Sequence, residues 1–122
     1  YREGEFYVAH SDNSINEAGT RRNYRCYTCI LYCNDEWNLE EDGGALRMYL
    51  DSANILKASH ARSKCEYIDI NPINGRLLIF DSRLIHSVEK TKQKIKSRFA
   101  LTLWTLRPEE SGVEGEIYDA GE

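Results

Sequence analysis

The chain is cut into short runs that favour extended backbone. Between residues 5 and 106 almost nothing repeats with helical spacing. Segments rich in β-branched and aromatic residues alternate instead with turn formers. Extended runs are predicted at 5–12 (EFYVAHSD), 24–33 (YRCYTCILYC), 45–50 (ALRMYL), 65–70 (CEYIDI), 76–81 (RLLIFD), 86–90 (HSVEK) and 98–106 (RFALTLWTL). Asn13-Ser14, Asn34-Asp35, Asp42-Gly43-Gly44, Pro72 and Asn74-Gly75 punctuate them. A short helix or irregular turn is expected at 51–58, capped by Asp51 or Ser52. Strands this short and numerous close into a sandwich, barrel or jelly roll, so the fold class is all-β. A chain of 122 residues fits one domain with a modest core. Residues 107–122 are acidic and aperiodic, and read as a surface arm or disordered extension.

Composition removes some functions. The formal net charge is −4, with 16 Lys and Arg against 20 Asp and Glu, and no basic stripe stands out, which argues against nucleic acid as partner. No apolar run is long enough to cross a bilayer as a helix. The chain begins without Met, which reads as a cut from something longer. Cys26, Cys29 and Cys33 lie in a predicted strand whose alternation sends Cys26 to one face and the other two to the opposite one. Chelation by Cys26 and Cys29 together would break that strand, so reduced, half-buried thiols are preferred to a zinc site, Cys65 included. Free thiols mildly favour a reducing compartment, cytoplasmic or nuclear, with the lumen of the endoplasmic reticulum as the alternative.

The chemistry begins at His10-Ser11-Asp12. On a strand His10 and Asp12 share a face, with Cα atoms about 6.6 Å apart at a rise of roughly 3.3 Å per residue. An imidazole nitrogen and a carboxylate oxygen at that spacing reach one ion. His86, after the apolar strand RLLIF and the connector DSRL, supplies a third ligand, and two histidines with one carboxylate on one side of a metal characterise non-haem Fe(II) oxygenases. Alternation on SRFALTLWT puts Arg98, Ala100, Thr102 and Trp104 on one face and Phe99, Leu101 and Leu103 on the other, the second being an ordinary core face. A guanidinium beside small residues and an indole is costly to bury without an anion. No internal acid is dedicated to Arg98, and a dicarboxylate cosubstrate would serve. Tyr32 is either a phenol donor to the same carboxylate or a packed core tyrosine. Lys96, in the charged run KQKIKS, is the minor alternative to Arg98. Ser11 cannot act as a triad nucleophile because strand neighbours point apart. His60, among polar residues, is expected to be exposed.

Taken together and in order, YREGEFYVAHSDN, RCYTCILYCN with Trp37, GGALRMY, GRLLIFDSRLIHSV and RFALTLW resemble the Fe(II)/2-oxoglutarate dioxygenases of the prolyl 4-hydroxylase superfamily from Tyr1 to about Leu106. The subgroup most similar is the egl-nine type, the hypoxia-inducible-factor prolyl hydroxylases. The resemblance implies a double-stranded β-helix, a jelly-roll variant related to cupins, over residues 1–106. It also implies that the helices and strand that usually buttress its N-terminal side lie outside this chain. It implies Fe(II) held by His10, Asp12 and His86, with 2-oxoglutarate and O2 as cosubstrates and ascorbate as reductant. Arg98 and Tyr32 would bind the far carboxylate of 2-oxoglutarate, in a pocket lined by Ile30, Leu46, Val88, Thr102 and Trp104. Tyr1 matches a further pocket tyrosine, and Arg25 a position near the substrate groove. The implied activity is peptidyl-proline 4-hydroxylation of a proline-containing protein. The alternatives are the same chemistry on another protein residue, a nucleobase or a small molecule, or a non-catalytic jelly-roll binding module. The gap from His86 to Arg98 exceeds that of the animal oxygen-sensing enzymes by a few residues, placed in KTKQKIK.

Overall fold

The computed structural model describes residues 1–50, 66–92 and 96–108. Seven strands and one helical turn occur in the order β1 (Tyr7–His10), β2 (Arg25–Tyr32), α1 (Leu39–Asp42), β3 (Leu46–Tyr49), β4 (Tyr67–Ile70), β5 (Leu77–Asp81), β6 (His86–Val88) and β7 (Ala100–Leu106). They form two antiparallel sheets, β1-β6-β3-β4 and β5-β2-β7. Apart from the β3–β4 step, each strand is followed by one in the other sheet, the connectivity of a jelly roll. The strands match the extended runs read from sequence, trimmed by up to four residues. The expected helix at 51–58, His60 and Cys65 lie outside the described residues, as does the tail from 109 onward.

Helix α1 was not anticipated, although its signals are local. The Asn38 side chain accepts from the Glu40 and Glu41 amides, and the Asp42 carboxylate accepts from the Asn38 amide. Gly43, at φ 67°, ends the turn in a conformation side chains disfavour.

The core lies between the sheets. Ile30 and Tyr32 of β2 meet Leu46, Met48, Phe80 and Val88, with Ile70, Leu78 and Leu84 packed against them. Alternation along β2 is clean, since Thr28, Ile30 and Tyr32 are buried while Tyr27 and Leu31 are exposed. One expectation is corrected here. Phe99, Leu101 and Leu103, read as a core face, are 61%, 64% and 58% exposed. The alternation on β7 is as expected, but its inward side is the one carrying Arg98 and Trp104. Register places Leu101 beside Leu31, itself beside Leu77, and Leu103 beside Cys29, itself beside Ile79. Among the described residues nothing covers this outer apolar face.

Candidate active site

A cleft of about 780 Å³ opens between the sheets, with His10, Asp12 and His86 on its wall. Their ligand atoms all lie within 4.8 Å of one another. The juxtaposition of the histidines depends on an irregularity. In β1–β6 the register runs from Tyr7 opposite Val88 to His10 opposite His86, three residues against two. Regular pairing would set Ala9 opposite His86. The extra residue re-aims His10 onto its partner, as bulges beside active sites do.

Each ring is anchored through Nδ1 to the carbonyl two residues earlier, His10 to Val8 at 2.8 Å and His86 to Leu84 at 3.0 Å. A carbonyl only accepts, so Nδ1 carries the proton and Nε2 is left as the ligand atom. Those Nε2 atoms face the carboxylate, His10 at 3.3 Å from Asp12 Oδ1 and His86 at 3.6 Å from Oδ2. Oδ2 also accepts from Thr28 Oγ1 at 2.7 Å and Trp104 Nε1 at 3.3 Å. Burial alone would raise the Asp12 pKa. The hydrogen bonds from His10, Thr28 and Trp104 and the nearby His86 outweigh it and hold the group at about 2. Burial depresses His86, which favours the neutral imidazole a metal needs. For His10 burial also lowers, but the Asp12 and Val8 contacts prevail and the pKa rises.

Asp12 lies beyond the end of β1, so its place depends on a side-chain clamp. Asn23 Nδ2 donates to the Asp12 carbonyl at 2.9 Å, and wholly buried Asn13 donates to the carbonyls of Asn23 and Arg25. The sequence marks Asn13 as a turn former without a role of its own and does not single out Asn23, Thr28 or Ser82, whose buried hydroxyl lies 3.0 Å from Thr28 Oγ1. Thr28 at an inward position of β2 and Asn13 next to a ligand were the available signals.

At the cleft's other end Arg98 is 3% exposed with no carboxylate in ion-pair range among the described residues. Its Nε donates to the Gly44 carbonyl at 2.7 Å. Its guanidinium carbon lies 5.2 Å from the Tyr32 ring and 5.3 Å from the Tyr1 ring. The Tyr32 hydroxyl is buried beside that charge without a well-formed hydrogen bond. Burial pushes the Arg98 pKa down and the Tyr32 pKa up. Ile30, Leu46, Val88, Thr102 and Trp104 line the cleft with Tyr1 and Arg25, whose guanidinium stacks 3.7 Å over Trp104. Lys96 is engaged elsewhere, donating to Asp42 at 3.0 Å and to the Glu36 carbonyl. Cys26, Cys29 and Cys33 are free thiols.

The donor set fits iron. Two imidazoles and an ionised carboxylate on one side of a partly open cleft are the ligands Fe(II) oxygenases use. Among the described residues the Tyr32 hydroxyl has no hydrogen-bond partner and Arg98 no acid, which fits an anion at the inner end.

Known proteins share this plan. Human Egl nine homolog 1 (Homo sapiens) is 31% identical over 121 residues, 98% of this chain and 24% of that protein. A hypoxia-inducible factor prolyl hydroxylase of Caenorhabditis elegans is 33% identical over 105 residues, 84% of this chain and 12% of that protein. The chain thus spans a quarter or less of either. A Pseudomonas putida prolyl-4-hydroxylase superposes with a TM-score of 0.66 at 28% identity, over 88% of this chain and 48% of that one. A Trichoplax adhaerens prolyl hydroxylase, solved with a hypoxia inducible factor oxygen degradation domain peptide, gives 0.63 at 32% identity, over 87% and 40%. The shared fold is the double-stranded β-helix. The family model of the 2OG-Fe(II) oxygenases matches residues 1–106, the span that builds both sheets and carries His10, Asp12, His86 and Arg98. This chain belongs to the 2OG-Fe(II) oxygenase superfamily.

Proposed function

We propose that the chain carries the catalytic core of a peptidyl-proline 4-hydroxylase, using Fe(II), 2-oxoglutarate and O2 to hydroxylate a proline-containing protein. One observation carries the reading: a two-histidine, one-carboxylate cluster shares one cleft with a buried arginine that has no acid partner among the described residues. His10, Asp12 and His86 would hold the iron. When bound, iron and 2-oxoglutarate supply O2 activation coupled to decarboxylation, which yields succinate and CO2 and oxidises a C–H bond.

The chain's own residues bind, orient and exclude. Arg98 offers its terminal nitrogens, with the Tyr32 hydroxyl, to the far carboxylate of 2-oxoglutarate. That pairing offsets the cost of burying a charge and fixes the acid's orientation. Ile30, Leu46 and Val88 form an apolar wall, and Thr102 and Trp104 line the β7 side. Tyr1, 38% exposed, flanks the guanidinium, while Arg25 sits with Trp104 where a peptide would approach. Thr28 and Trp104 occupy Asp12 Oδ2 and leave Oδ1 as the freer ligand atom. Support for proline as target comes from the three prolyl hydroxylases above, one solved with a hypoxia inducible factor peptide. Ascorbate would serve as outside reductant.

The test is a proline-containing peptide library incubated with the protein, Fe(II), 2-oxoglutarate and ascorbate. Hydroxylation is read as a gain of about 16 Da, one oxygen atom, with stoichiometric succinate. Undiminished 2-oxoglutarate turnover in His86→Ala would refute the metal assignment. Succinate release without proline modification in any peptide would refute the substrate class.

A further inference from the structure

We infer that Gly44 is a positioning residue for cosubstrate selection: its carbonyl and its missing side chain set Arg98 so that only the terminal guanidinium nitrogens are presented to an anion. The inference rests on the reading of Arg98 as the carboxylate anchor.

Gly43 and Gly44 both have positive φ, 67° and 69°, a region L side chains disfavour. Neither has room for a methyl group. A Cβ on Gly43 would collide with the Lys90 carbonyl. One on Gly44 would come to 2.9 Å from Arg98 Cδ, and to 3.3 Å from Thr91 Oγ1 and the Trp37 ring. Arg98 therefore lies on the bare surface of Gly44, and any side chain there would push the arginine stem out of place.

The turn beneath it is held on several sides. The Trp37 indole donates to the Gly43 carbonyl at 2.9 Å, and the Gly44 amide donates to the Lys90 carbonyl at 3.0 Å. Lys96, two residues before Arg98, reaches back to wholly buried Asp42 at 3.0 Å and to the Glu36 carbonyl at 2.9 Å. The Gly44 carbonyl is thus a fixed acceptor. It takes Nε at 2.7 Å and so selects the outer edge of the guanidinium, between Tyr1 and Tyr32, for the ligand. Orientation matters because a bidentate carboxylate pair uses either the two terminal nitrogens or Nε with one of them, as Arg47 does with Asp69, and at Arg98 the Nε is already taken by Gly44. The ligand class selected is a 2-oxo acid with a second carboxylate.

Gly44→Ala separates positioning from general support. The full chain is loaded with Mn(II) without oxygen, and calorimetry measures Mn(II), 2-oxoglutarate and 2-oxobutanoate, which shares the 2-oxo acid head but lacks the far carboxylate. In the variant, 2-oxoglutarate should weaken by about tenfold or more while Mn(II) and 2-oxobutanoate stay within about twofold, because only the misaimed guanidinium is felt. Equal weakening of all three ligands, or an unchanged preference for 2-oxoglutarate, overturns the inference. If Gly44→Ala does not fold, Trp37→Phe removes the donor to the Gly43 carbonyl together with one ring of the indole, and the Mn(II) and 2-oxobutanoate affinities control for the lost packing. This variant should narrow the preference for 2-oxoglutarate by about threefold, the loss of part of one neutral hydrogen bond. An unchanged preference in Trp37→Phe then overturns the inference. Wild-type protein that shows no preference for 2-oxoglutarate over 2-oxobutanoate sinks the carboxylate-anchor reading, and this inference with it.

Discussion

Arg98→Met should weaken 2-oxoglutarate binding severely while leaving the ligand-free protein nearly as stable as before. The two effects separate because of what the guanidinium touches. Its Nε is committed to the Gly44 carbonyl, which leaves two terminal nitrogens for the ligand. Charged hydrogen bonds are each worth about 1.5–3 kcal/mol, and truncating one partner of a buried charged pair costs roughly 2–5 kcal/mol. Two such bonds in a site where Arg98 is 3% exposed place the loss at about 3–5 kcal/mol, a weakening of about 150-fold or more. Without ligand, no carboxylate among the described residues is left behind when the charge goes. Methionine fills a similar length, so the loss of one bond to a carbonyl is set against relief of a buried charge. The net change should stay within about 1.5 kcal/mol, whereas breaking a true buried ion pair costs about 3–5 kcal/mol. Calorimetry on Mn(II)-loaded protein without oxygen reads the first quantity and urea denaturation of the metal-free protein the second. A weakening below about fivefold, or a destabilisation beyond about 3 kcal/mol, would refute the reasoning, because Arg98 would then be serving an internal partner.

The Asp12 carboxyl, held at about 2 against an ordinary 3.8, stabilises the metal-free fold above the ordinary value and loses that contribution as pH falls through the folded one. The stability difference between wild type and Asp12→Asn, from urea denaturation at pH 5 and at pH 2, should therefore shrink by about 2 kcal/mol on acidification. A constant difference would show that the carboxylate is not held by its neighbours. Leu46→Ala and Leu101→Ala remove the same atoms at 1% and 64% exposure. The first should cost about 2–5 kcal/mol and the second under about 1 kcal/mol, and equal costs would show that the outer face of β5-β2-β7 is covered.

Strand existence was legible because each run carries its own β-forming residues and its own terminators, and neither depends on a partner. Which face of a strand turns inward does depend on a partner. On β7 the hydrophobic rule chose Phe99, Leu101 and Leu103, the more apolar set, and chose wrongly. The opposite face is the one that meets β3 and β6 across the cleft, and a cleft built to hold an anion tolerates Arg98 and Thr102 where a sealed core would not. The clustering of His10, Asp12 and His86 was legible through residue type, since two imidazoles and a carboxylate at such spacing suit one ion. The groups that hold them were not. Asn13 and Gly44 resemble ordinary turn residues, and only the folded chain shows that one is buried in a clamp under Asp12 and the other lies bare against Arg98.

Regular β-structure accounts for the frame and for Thr28, Tyr32 and Trp104, but His10, Asp12 and Arg98 sit where regularity fails. His10 meets His86 because β1 carries an extra residue that shifts its pairing. Asp12 lies past the end of β1, and Asn23 holds its backbone where no ladder bond exists. Arg98 precedes the first residue of β7, and its orientation comes from a left-handed glycine turn rather than from a strand neighbour. A regular ladder alternates its side chains strictly, so regular pairing alone would have set Ala9 rather than His10 opposite His86. Here the site is aimed by a bulge, a strand end and a turn, the strand end stabilised by buried Asn13 and the turn by a tight glycine contact. The sheets therefore contribute rigidity, and their irregular margins contribute aim. Substitutions at Asn13, Asn23 or Gly44 should then disturb ligand geometry more than their small size would suggest.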